Sequence, residues 1–172
     1  MTYIRAIKKY GELMKVKRKD IISQYGCKES HIYYIQEGFV RKYNYDDEGS
    51  EITFDFAGKG DFVNSYDSFL NNTFSQIVVE AVTDGKLYKL SKNAFDTTIE
   101  SDIEISKKIR SIFSKNLENK IRFSRLDKRQ QFKMLMAYDS KLLLKVQKQH
   151  IASYIGVTPQ TISKWIRIYN NI

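Results

Sequence analysis

The stretch HIASYIGVTPQTISKWIR, His150 to Arg167, leaves the chain little conformational choice. It holds the only proline, Pro159, and the only tryptophan, Trp165, among 172 residues. Gln147 to Ile155 has the spacing of one helix and Thr158 to Ile168 of another, with only Gly156 and Val157 between them. A helix that stops and restarts within two residues needs a left-handed residue at the stop, and glycine adopts that conformation without a Cβ penalty. Thr158 is a suitable N-cap, and Pro159 at the first helical position lacks only an N–H that would have had no helical partner. Ile151, Ile155, Val157, Ile162 and Trp165 supply apolar contacts between the helices, and Ala152 is small where they must approach. The unit predicted is a helix-turn-helix.

The outward face of the second helix carries Gln160, Ser163, Lys164 and Arg167 at i, i+3, i+4 and i+7. All four donate hydrogen bonds and none is acidic. Gln pairs bidentately with adenine, and Lys reaches guanine O6 and N7 in the major groove. Gln160, Ser163 and Lys164 are therefore candidate base readers. Lys148, Gln149, Thr158, Thr161 and Arg167 are candidates for phosphate contacts that fix register. Charge placement agrees. Residues 1–100 carry 14 Lys+Arg against 15 Asp+Glu, whereas residues 101–172 carry 15 against 5, so the C-terminal part holds the whole excess of +9. A basic field confined to one region favours a polyanionic partner, and double-stranded DNA fits this helix face.

The first hundred residues have a different pattern. The run from His31 to Phe62 is rich in Ile, Tyr, Phe and Val, and EITFDF, Glu51 to Phe56, alternates polar and apolar as a half-buried strand does. DDEGS forms a hairpin loop in which Gly49 can take positive φ. Strands are predicted at Ser75–Val82 and Lys86–Leu90, joined through TDG. Short strands with regular turns predict an antiparallel jelly roll or sandwich.

Near residue 95 the period becomes helical. From Ser101 to Arg125 there is no Gly or Pro, and Ile105, Ile109, Ile112, Asn116, Asn119, Phe123 and Leu126 recur at steps of four and three. Phe113, Leu117 and Ile121 lie on an adjacent face. Two apolar faces exceed what one core contact needs, so the Ile105–Phe123 seam is expected to pair with a second copy, giving a homodimer, while the other face packs on the β domain. Asn116 and Asn119 inside the seam would fix its register at some cost in stability. A wide helix buried within one subunit is the alternative. Further helices are predicted at Arg129–Tyr138 and over SKLLLKV, the latter capped by Asp139 or Ser140. The fold class is α+β: a jelly roll over residues 1–100, a dimerisation helix over 101–126 and a helix-turn-helix domain over 127–172.

Several functions are excluded. Cys27 is the only cysteine, which rules out an internal disulfide and Cys-based metal clusters, and it is expected to be a small buried side chain. His31 and His150 are the only histidines, too few for a cupin metal site or a Ser-His-Asp triad. No catalytic residue, metal or cofactor is expected. No apolar run has the length of a membrane span, and MTYIRAIKKYGELMKVKRK is too charged for a signal peptide, so a cytoplasmic protein without a membrane partner is expected.

The segments IQEGFVRKYNYDDEGSEITFDFAGKGDF and EAVTDGKLYKLSKNAF, then the long helix and HIASYIGVTPQTISKW, together resemble the Crp/Fnr family, the catabolite-activator type of bacterial transcription regulator. The resemblance spans nearly the whole chain. It implies a cyclic-nucleotide-binding-like jelly roll, a homodimer formed through the long helix, and half-sites ~34 Å apart on a near-palindromic site. It further implies RNA polymerase as a partner if the protein activates transcription. The chain departs from the cyclic-AMP-binding members. Their Gly-Glu pair, which holds the ribose, corresponds here to Asn64-Ser65, and their phosphate-clamping Arg with its following Ser or Thr corresponds to Ser75-Gln76. No Arg occurs between Arg41 and Arg110. Without a guanidinium a buried phosphate loses its bidentate partner, so tight cyclic-AMP binding is not expected. Asn64, Ser65, Ser75 and Gln76 remain candidates for the pocket of another small-molecule effector, if there is one. The cysteine cluster of the oxygen-sensing branch is missing, and with the sequence stopping at Ile172 no β wing is expected. The alternative is a ligand-sensing or partner-binding jelly roll with vestigial DNA binding.

Overall fold

The structure, a computed structural model, describes residues 2–138 and 145–170. Helix α1 (Tyr3–Tyr10) leads into strands β1 (Glu12–Val16), β2 (Ile21–Ser23), β3 (His31–Glu37), β4 (Val40–Tyr45), β5 (Glu51–Ala57) and β6 (Phe62–Val63). Helix α2 (Tyr66–Asn71) precedes β7 (Val78–Ala81) and β8 (Gly85–Ser91). The rest is helical: α3 (Lys92–Glu100), α4 (Ile103–Ser124), α5 (Lys128–Tyr138), α6 (Lys148–Ile155) and α7 (Pro159–Asn170). The helix expected over SKLLLKV, with its cap at Asp139 or Ser140, lies outside the described residues except for Lys145 and Val146; Val146 is buried.

The strands form two antiparallel sheets, in the orders β1-β8-β3-β6 and β2-β7-β4-β5. Val16, Tyr33, Ile35, Val63 and Leu87 of the first sheet pack with Val40, Val79 and Ala81 of the second. This interleaving closes the jelly roll. The β4–β5 hairpin turns at DDEGS: Gly49 has φ +80°, and Asp46 Oδ1 accepts from the Glu48 and Ser50 amides.

Strand β5 alternates as its sequence predicts, but with the opposite face buried. Thr53 and Asp55 are covered, while Ile52 and Phe54 are exposed. The reason is a set of ionic contacts that needs cover. On β4, Arg41 is buried and lies directly across from Glu80 of β7. Its guanidinium donates to Glu80, to Glu51 and to the Thr53 hydroxyl, and lies 4.1 Å from the centre of the Tyr43 ring. The neighbouring cross-strand pair is Lys42 with Asp55, 3.1 Å apart.

Helix α4 also uses its faces the other way round. Ile105 and Ile109 are only 2% and 1% exposed, in a core with Ile7, Ile32, Phe62, Phe69 and Phe95 of the same chain. Ile112 packs against that core, Asn116 donates to Asp61 (3.1 Å), and Phe123 stacks on Tyr154. Asn119 is half-buried. The predicted dimer seam is therefore the face that holds α4 to its own subunit. Spacing located an apolar seam correctly but could not say which partner it met. Leu117 and Ile121, on the face expected to pack inward, are exposed. Cys27 departs from expectation as well. It is exposed, in the turn where its amide donates to the Gln24 carbonyl, and a tight surface turn gives its side chain nothing to pack against.

Replacing Arg41 with Leu leaves Glu80 buried without its cation. Loss of one partner of a buried ion pair costs about 3–5 kcal/mol, so urea unfolding of Arg41→Leu is expected to shift by that amount. A shift below about 1 kcal/mol would place the pair in effective contact with water.

Candidate nucleic-acid interface

The helix-turn-helix closes as its sequence requires. Gly156 has φ +76°, its amide donates to the Ser153 carbonyl, and the Val157 amide reaches back to Ala152 (3.0 Å). This pair of bonds satisfies the last carbonyls of α6 and stops the helix. Thr158 Oγ1 accepts from the Thr161 amide and shares a hydrogen bond with the Thr161 hydroxyl, capping α7 at Pro159. Ile151, Ile155 and Ile162 are fully buried, Ala152 nearly so, and Trp165 sits 5.3 Å from Phe132 of α5. The inner face of α7 is therefore fixed.

The outer face brings together Gln160, Lys164 and Arg167, all exposed. Ser163 lies beside them, half-buried, with its hydroxyl donating to the Pro159 carbonyl (3.0 Å), which leaves only its oxygen's acceptor capacity for a partner. Lys148 and Gln149 are exposed at the start of α6, and Thr158 at the start of α7. Thr161 is half-buried and tied to Thr158. One exposed surface thus carries three long donors on α7, with Lys148 and Gln149 at the start of α6 and Thr158 at the start of α7 also exposed.

The other side of α6 is docked on the jelly roll, which the sequence did not reveal. Ser153 Oγ accepts from the Thr53 amide (3.0 Å) and donates to the Glu51 carbonyl (3.3 Å). Tyr154 lies edge-on to Phe56 of β5 and stacks on Phe123 of α4, with ring centres 4.8 Å apart. His150 is buried close to Arg41. Burial, with the Arg41 charge next in weight, lowers its pKa to about 4. The readable hint was the pair of polar residues, Thr53 and Asp55, on one face of a strand. Only a polar cover explains them, and the chain's sequence does not say which element supplies it.

Asn64 is buried and donates to the His31 carbonyl (3.3 Å), while its Oδ1 has no partner among the described residues. Ser65 is buried at the start of α2. Ser75 is buried with its hydroxyl donating to the Ile77 carbonyl, and Gln76 is exposed and accepts from Tyr25. Among the described residues no cluster of His, Cys, Asp and Glu could hold a metal ion, and no helix is long and apolar enough to cross a membrane.

The cyclic nucleotide-binding domain matches residues 13–102. FixK2 from Bradyrhizobium japonicum is similar over 94% of this chain and 85% of its own, at 17% identity and a TM-score of 0.74. The c-di-GMP responsive global regulator CLP from Xanthomonas campestris aligns over 98% of this chain and 91% of its own, at 18% identity and a TM-score of 0.73. A mutant form of CooA from Carboxydothermus hydrogenoformans covers 99% of this chain and 85% of its own, at 14% identity and a TM-score of 0.71. No curated protein sequence matches the chain. Each of these likenesses extends over at least 94% of this chain.

The buried His150 makes the α6 contact sensitive to acid. The unfolded chain takes up this proton near pH 6.5 and the folded one only near pH 4, so the stabilisation present above pH 6.5 is lost as the pH falls toward 4. The melting temperature of the native chain is expected to drop more steeply across this window than that of His150→Gln. Parallel slopes would place His150 outside the contact.

Proposed function

The chain belongs to the cyclic nucleotide-binding domain family, and from that premise we propose that it is a sequence-specific DNA-binding transcription regulator acting as a homodimer. The observation that carries this reading is the α7 surface: a helix locked along its inner face by Ile162 and Trp165 that presents Gln160, Lys164 and Arg167 outward. A fixed backbone with free donor side chains is what major-groove reading needs. In this reading Gln160 and Lys164 contact bases, with Ser163 as an acceptor beside them. Lys148, Gln149, Thr158, Thr161 and Arg167 contact phosphates.

Dimerisation falls to the outer face of α4. Ile103, Leu117 and Ile121 are 66%, 61% and 45% exposed, and their separations of fourteen and four residues place them on one stripe. Pairing two such stripes covers apolar surface that a lone subunit leaves in water. The site read is then near-palindromic, its two halves about one turn of DNA apart. Cyclic AMP is not the effector in this proposal. At the position of the phosphate clamp stand Ser75, bonded internally, and Gln76, and Arg41 is held by Glu80 and Glu51.

Selection of bound duplexes from a random pool tests the reading. A near-palindromic consensus is expected, bound with an affinity that falls steeply as salt rises. Binding without sequence preference, or none at low salt, overturns it and favours a partner-binding protein. Lys164→Ala is expected to weaken discrimination at one base pair per half-site by about 1–3 kcal/mol. A uniform loss across sequences would make Lys164 a phosphate contact. Leu117→Asp with Ile121→Asp is expected to sediment as a monomer, and an unchanged dimer would move the interface elsewhere.

A further inference from the structure

A cavity of about 750 Å³ opens where the β4–β5 hairpin, the middle of α4, α5 and α6 meet. Its size falls within the range of small-molecule sites, about 300–1,000 Å³. Aromatic rings dominate the wall: Phe56, Phe62, Phe113 and Phe123 all border it. An apolar guest would restore the packing contacts that such a wall forfeits.

Polar groups at the wall narrow the guest's chemistry. Tyr66 lines the cavity, but its hydroxyl is buried away from the open space, with no hydrogen-bond partner among the described residues. Lys42 and Lys120 both bind the same Asp55 oxygen, at 3.1 and 2.7 Å. Two ammonium groups thus share one acceptor. Lys42 is well buried, whereas Lys120 is about half exposed and free to turn to another anion. Asp61, the other carboxylate of the wall, is engaged by the Asn116 amide and the Gly58 N–H.

We propose that this cavity is a binding site for a mainly apolar small molecule carrying a single carboxylate. Its hydrocarbon or ring body lies among the phenylalanines and its carboxylate engages Lys120. The site is separate from Asn64, Ser65, Ser75 and Gln76, none of which borders it. Occupancy also has a route to the helix-turn-helix, because the wall residue Tyr154 stacks on Phe123 of α4 and meets Phe56 of β5 edge-on, tying α6 to both. That consequence rests on the DNA-binding reading; the binding itself does not.

The test uses the full chain without DNA. Displacement of bound 1-anilinonaphthalene-8-sulfonate is followed by fluorescence as decanoate or decanol is added. Decanoate is expected to compete about tenfold more strongly than decanol, because only the carboxylate gains a charge-assisted bond. Lys120→Gln should remove that preference while leaving decanol unchanged. Asn119→Trp, which places a ring at the half-buried edge of the cavity, should abolish competition by both. If Asn119→Trp does not fold, the Lys120→Gln comparison alone decides. Equal competition by the two ligands in the native chain, a preference that survives Lys120→Gln, or no competition at all overturns the proposal. The last result is also what a second copy's α4, covering the cavity beside Leu117, would produce. If decanoate binds as expected, its effect on duplex affinity is measured separately, so that failure of DNA binding is not mistaken for failure of the site.

Discussion

A guanidinium buried on a β-strand organises this molecule. Arg41 cannot face water through its own sheet, and removing it from water is tolerable only with several acceptors in place. Glu80, Glu51 and Thr53 supply them, from one neighbouring strand on one side and one on the other. A buried ion pair of this kind adds little net stability compared with an apolar replacement, and its clearer effect is to fix register. Here it fixes β4 against β5 and β7. It also demands a lid, which α6 provides through Ser153, Tyr154 and His150. The jelly roll and the C-terminal helices are thus joined by this polar contact together with an apolar cluster in which Val82, Phe39 and Phe56 pack with Leu135, Ile151 and Ile155.

Helix α4 is the second support. Its early turns belong to the jelly roll through Ile105 and Ile109, and its last turn meets α6 through Phe123. Between them, Asn116 and Lys120 reach Asp61 and Asp55 of the β domain. One helix therefore touches both halves along a single face, and the opposite stripe of Ile103, Leu117 and Ile121 is exposed. Any change that reorients α6 must be felt at Phe123, one turn beyond Asn119 and Lys120 at the edge of the cavity.

Local rules were legible in the sequence because they depend on neighbours in the chain. Gly156, Thr158 and Pro159 announced the turn and the start of α7, and each does there what its backbone or side chain allows. The DDEGS hairpin and the long uninterrupted helix were readable for the same reason. What periodicity cannot give is the identity of the surface on the far side. The seam of α4 was visible, yet whether it met its own β domain or a second copy depended on Phe62, Phe69 and Phe95 arriving from elsewhere. Strand β5 shows the same limit: alternation was clear, but Thr53 and Asp55 are the buried set because of Arg41 and α6, both distant in sequence. Helices α1 to α3 are only eight, six and nine residues long, too short for a helical period to stand out from the surrounding strands. Spacing puts Gln160, Ser163, Lys164 and Arg167 on one face of α7, but it does not reveal that the Ser163 hydroxyl is already engaged with the Pro159 carbonyl.

The proposed function requires two chains to read one duplex through α7. Sedimentation of the chain with a duplex bearing its selected consensus measures this directly. Two chains per duplex are predicted, with the complex lost when Gln160 and Lys164 are both replaced by Ala. One chain per duplex, or a complex indifferent to those replacements, would contradict it.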